Sequence, residues 1–199
     1  MTTKYIQSLG NFLACYHSDL TYIQNFQLYK NGFIRRSHFS EKEVGSIYEF
    51  LIEFRVVRNY NQGETEQVLD ITSKWINGND PDNVDGFATQ LNYKGLTHGK
   101  TATVLASKIL FLNNPWAILP LDKWAKATMG LKINTYAGYL KTVDGFADKN
   151  KEEIYDCLTS VKSHILVIEK EFKKHLPHLE KIRQNRFVDK LLWTIRGQQ

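Results

Sequence analysis

A chain of 199 residues with a formal charge of +5 and an isoelectric point of about 9.1 is long enough to bury one sizeable core without disulfides or metal. No stretch approaches the ~20 apolar residues of a membrane span, the N-terminus has no apolar signal core, and Cys15 and Cys157 are too few for an iron–sulfur cluster. The expectation is a cytoplasmic protein with two buried, reduced thiols and, given its basic balance, an anionic partner whose phosphates exchange counterions for lysine and arginine.

Residues 4–30 mix aromatic and polar side chains and give no clear period. Asn31-Gly32 reads as a turn. Ser40-Glu41-Lys42-Glu43 has the form of a capping box, in which hydroxyl and carboxylate satisfy orphan amides reciprocally. A helix is expected after it through Val44, Ile47, Tyr48, Leu51, Ile52, Phe54 and Arg55, at spacings of three and four, with Gly63 as its breaker. A second helix carries Val68, Ile71, Trp75 and Ile76 and closes at Asn77-Gly78. Asp80-Pro81 then opens a short helix over about 82–92.

The stretch from Gly95 to Thr101 is the most informative. Gly95-Leu96-Thr97-His98-Gly99-Lys100 makes a tight connection between that short helix and an apolar one running from Thr101 to about Asn113. A glycine bend there lets the backbone turn sharply and leaves amides at the next helix N-terminus able to hold a phosphate. An ordinary helix–helix turn fits the same residues. In the apolar helix, Thr103 and Ser107 mark a polar side, whereas Lys108 falls inside the apolar arc between Val104 and Leu112. An ammonium there has to pair, snorkel, or sit in a dry pocket.

A loop with Pro115 and Pro120 follows, and Asp122 is expected to cap a helix that runs through Met129 and ends at Gly130. The remainder reads as a helix over about 134–146, a long one from Lys149 to Lys174, and a basic helix over about 178–195 after Pro177. That last helix suits either a DNA backbone or plain solvent, and its Trp193 reads as a packing anchor. The six histidines show no metal-ligand spacing, so no metal site is expected.

Glycine hairpin, helix, proline loop and Asp resemble the helix-hairpin-helix DNA glycosylase superfamily. The run Ala106-Ser107-Lys108-Ile109-Leu110-Phe111-Leu112-Asn113, with Pro115 and Leu119-Pro120-Leu121-Asp122, is similar to bacterial 8-oxoguanine DNA glycosylase-like proteins, as is Arg186-Phe187-Val188-Asp189-Lys190-Leu191-Leu192-Trp193. The resemblance implies an all-α, two-lobed helical domain over residues 1–199, with the helix-hairpin-helix at about 82–113 and a catalytic loop and helix at about 114–130. It implies a DNA glycosylase, with or without AP lyase activity, acting as a monomer on double-stranded DNA that carries a damaged or modified base, and no cofactor. Asp122 would be catalytic. Lys100 matches the lysine that attacks C1′ in bifunctional members, although its hairpin is looser and its distance from Asp122 longer than in the family. Lys108 is its rival, and without either lysine Asp122 would assist water. Gly95, Thr97, His98, Gly99, Thr101, Lys123 and Trp124 would contact DNA. A DNA-binding module that has lost catalysis and a helical interaction protein without a DNA role are the alternatives.

Overall fold

The computed structural model describes residues 2–33, 45–54, 62–96, 102–132 and 135–196, and every regular element among them is helical. In chain order these are α1 (Thr3–Lys30), α2 (Ile47–Glu53), α3 (Gln62–Ile76), α4 (Val84–Tyr93), α5 (Thr103–Asn113), α6 (Lys123–Thr128), α7 (Tyr136–Lys149), α8 (Lys151–Ser160), α9 (Lys162–Glu169) and α10 (Leu179–Arg196). None of the described helices is long and apolar enough to cross a membrane. The chain divides into two compact units, one of Met1–Leu20 with Leu119–Gln199 and the other of Thr21–Ile118.

The first unit is built on the start of α1 and on α10. Phe12, Tyr16 and Leu20 of α1 are fully buried, as are Phe187, Leu191 and Leu192 of α10. The Phe12 ring lies 4.5 Å from Tyr16 and meets Phe187 edge-on at 5.8 Å, a geometry that suits aromatic quadrupoles. α10 packs on α6 and on α8. The long helix expected from Lys149 to Lys174 is instead α8 and α9, preceded by a junction at Asn150 and split at Val161, both with non-helical backbone. Cys157 is buried in this unit and Cys15 half-buried, both as free thiols.

In the second unit α4 packs on α5, and α3 on α4. Ile23 and Phe26 from the end of α1, with Phe50, Leu69, Phe87 and Leu91, are fully buried in this unit. Tyr22 meets Phe50 at 5.4 Å, and its hydroxyl donates to Glu53 Oε2 at 2.6 Å. α2 begins at Ile47, with Ser46 as its N-cap: Ser46 Oγ accepts from the Glu49 amide at 3.1 Å, while Glu49 Oε2 reaches back to the Gly45 amide at 2.6 Å. Ser46-Ile47-Tyr48-Glu49 is thus the capping pattern used here; the Ser40–Glu43 pattern lies outside the described residues. Gly63 sits inside the first turn of α3 and does not precede it.

Candidate functional site

The loop before Asp122 belongs to the first unit and is held from α7. Leu119, Pro120 and Leu121 are buried. The Tyr136 hydroxyl accepts from the Leu119 amide at 2.8 Å and donates to the Leu119 carbonyl at 3.1 Å, and the Tyr139 hydroxyl donates to the Pro120 carbonyl at 3.2 Å. Two buried phenols therefore satisfy backbone groups that the proline turn leaves out of any helix. Asp122 follows with extended backbone and caps α6, its Oδ1 accepting from the Ala125 amide at 2.7 Å. The bond fixes the direction in which the carboxylate faces, and the helix N-terminus favours its negative charge. Asp122 is half-buried. Beside it, Lys123 is exposed and holds its ammonium 4.7 Å from the centre of the half-buried Trp124 ring.

A buried ionic cluster lies in the same unit. Arg186 has no exposed surface; its Nε and Nη2 donate to Asp19 Oδ2 at 2.8 and 2.7 Å, and its Nη1 donates to Asp189 Oδ2 at 3.0 Å. Asp19 Oδ1 is buried and makes no hydrogen bond among the described residues. The Tyr139 phenol is pushed well above its ordinary range by burial first, then by the negative charge of Asp189, by Tyr136 and by the charge of Asp122, with Arg186 opposing. Asp122 and the Arg186 cluster thus act on one phenol. Arg186 is a fold residue, and Arg183 donates Nε and Nη2 to the buried Glu169 at 2.9 and 2.8 Å. Two of the cations that made α10 look like a basic face are therefore spent inside the protein. Trp193, expected as a packing anchor, is 43 % exposed.

In the second unit the candidate hairpin opens with a helix cap. Gly95 has φ +74°, the Gly95 amide donates to the Asn92 carbonyl at 2.9 Å, and the Leu96 amide donates to the Leu91 carbonyl at 3.2 Å. This is a Schellman ending for α4, completed by the buried side chains of Leu91 and Leu96. Gly95 is there because an L side chain resists that backbone. Thr97, His98, Gly99, Lys100 and Thr101 lie outside the described residues. α5 resumes with Ala102 at its N-cap position, a residue with no side-chain acceptor to offer the first amides.

α5 has no polar side. Thr103 and Ser107, expected to face water, are buried, and Ser107 Oγ turns back to the Val104 carbonyl at 2.9 Å; Val104 is the exposed position. A helix apolar all round is a core helix. Lys108 is buried with it, 8 % exposed, and its Nζ donates to the Phe54 carbonyl at 2.6 Å. Phe54 is the C-cap of α2, so the ammonium meets the negative end of a helix. The Phe54 carbonyl, at a helix end, is an acceptor that the sequence does not show.

The first unit also has a partly open cavity of about 310 Å³ lined from α7, α8, α9 and α10. Leu119, the first residue of the tyrosine-held loop, is in its wall; Asp122, Lys123 and Trp124 are not. Compared with family models, curated proteins and solved structures, the chain finds no match in any of the three.

Proposed function

We propose that the chain is a DNA N-glycosylase that removes a damaged or modified base from duplex DNA. The observation that carries this reading is the Asp122 carboxylate: half-buried, aimed by the Ala125 amide, and mounted on a loop that Tyr136 and Tyr139 hold by its backbone. Catalysis by charge needs that kind of fixed group, because a carboxylate already in place costs no reorganisation when the sugar becomes cationic. The nucleotide is extruded from the stack. The bond from C1′ to the base nitrogen breaks, its electron pair leaves with the base, and Asp122 stabilises the positive sugar. Water then attacks C1′ and passes its proton to the carboxylate. The exposed Lys123 and the Trp124 ring beside Asp122 offer a phosphate contact and a stacking surface.

Lys108 has no part in the chemistry of this reading, since its ammonium serves the end of α2. The nucleophile is then water or Lys100. The protein works as a monomer in the reducing cytoplasm, which its free thiols suit. A second reading, a binding module without catalysis, is favoured by the fact that both Asp122 and Lys108 make hydrogen bonds that serve the fold.

The test is base release and borohydride trapping on a panel of lesion duplexes, with affinity measured across salt. Release of one base without trapping supports hydrolysis, and trapping that disappears in Lys100→Ala supports the lyase route. Tight, salt-sensitive binding with no product on any lesion supports the binding module. Absent or salt-insensitive binding removes DNA from the account.

A further inference from the structure

The cavity of the first unit is not used by the reading above. Its volume of about 310 Å³ is at the small end of ligand pockets. Buried Leu119, Val143, Ile154, Leu158 and Val188 supply apolar lining. Charges are distributed by wall. α7 supplies Asp144 and Asp148, four residues apart and therefore on one helix face. α8 and the first residue of α9 supply Lys151 and Lys162, with no acid among them. α10 supplies Glu180, Lys181 and Arg183, of which Arg183 is already bound to both oxygens of Glu169.

The remaining six charges are exposed, and none makes an ion pair or hydrogen bond with another described residue. Three carboxylates and three ammoniums around one hollow give no net attraction to a ligand of a single sign. A molecule with both signs gains from both, provided that its ends reach different walls. We propose that this cavity binds a small zwitterion with an apolar body, of the α-amino-acid or dipeptide class. Its ammonium faces Asp144 and Asp148, its carboxylate faces Lys162 and Lys181, and its side chain lies on the apolar lining. The proposal stands independently of any action on DNA.

The dipeptide Leu-Phe is the probe, titrated calorimetrically into the full chain beside its N-acetyl and C-amide forms, each of which lacks one charge. Saturable binding of Leu-Phe is expected, with each blocked form about fivefold weaker, the scale of one exposed ion pair. The double variant Asp144→Asn, Asp148→Asn keeps its fold, because both side chains are exposed and unpaired among the described residues. It should bind Leu-Phe about as weakly as the wild type binds the N-acetyl form. No saturable binding, equal binding of the three probes, or a double variant that binds like wild type overturns the proposal.

Discussion

Asp122 carries two duties that substitution can separate. As a cap it offers Oδ1 to the Ala125 amide; as the proposed catalytic group it offers charge. Asparagine caps about as well as aspartate, so Asp122→Asn should unfold within about 0.5 kcal/mol of wild type, whereas Asp122→Ala should lose about 1 kcal/mol in urea denaturation. Equal losses would mean that the cap contributes nothing. The capping role was legible in the sequence, because an Asp after a proline turn and before a helical run has few other uses. The phenols of Tyr136 and Tyr139 were not: each meets a backbone carbonyl 17 or 19 residues away, and a backbone acceptor leaves no mark in the sequence. The same holds for Lys108. Its place in an apolar arc was legible, but the Phe54 carbonyl 54 positions away was not. Arg186 was visible as a charge three residues before Asp189. Its burial could have been suspected from the apolar Ile182 one turn earlier on the same face.

Among the elements, α1 was the least legible. Leu9, Phe12, Tyr16, Leu20, Ile23 and Phe26 recur at spacings of three and four and are all buried, yet the polar residues between them masked the period. Apart from Leu9, with 7 % of its surface exposed, these side chains are fully buried, and such a stripe sustains a 28-residue helix whatever its propensity. α5 erred in the other direction. Thr103 and Ser107 looked like a wet face, but a serine can return its hydroxyl to its own helix, as Ser107 does, and so enter a core. The bend after α4 was found from its glycine, and the cap geometry gives that glycine a structural reason. Gly95→Ala places a side chain at φ +74° with no atom of the described residues within 4 Å, so backbone strain sets the cost, about 1 kcal/mol in urea denaturation. An unchanged midpoint would show that the Schellman ending does not hold there.

At the scale of the whole molecule, the described fold keeps three phenols neutral. Tyr16, Tyr22 and Tyr139 are all buried and all pushed up, by burial first in each case. For Tyr16 and Tyr22 a hydrogen bond to Glu169 or Glu53 adds to the effect, and for Tyr139 the charge of Asp189 does. In the unfolded chain a phenol ionises near pH 10. Their contribution is thus complete below about pH 10 and is lost as pH rises toward the higher folded values, by up to about 1.4 kcal/mol per pH unit for each phenol. Urea midpoints should be flat up to about pH 9 and fall steeply above about pH 10, with a shallower fall in Tyr139→Phe. A flat alkaline limb would mean that water reaches these rings. The all-helical character of the described residues was legible from sparse glycine and proline and from period; the boundary between the two compact units was not, because no linker marks it and it falls inside α1. The central claim is that Asp122 supports loss of a base. It is tested most directly by mass-spectrometric identification of bases released from damaged and modified duplex DNA by the wild type and by Asp122→Asn. The account predicts one released base for the wild type and, at equal duplex affinity, at least about a hundredfold slower release by Asp122→Asn, the scale of losing one charge aimed at a transition state. Release of the same base at the same rate by both proteins would contradict it.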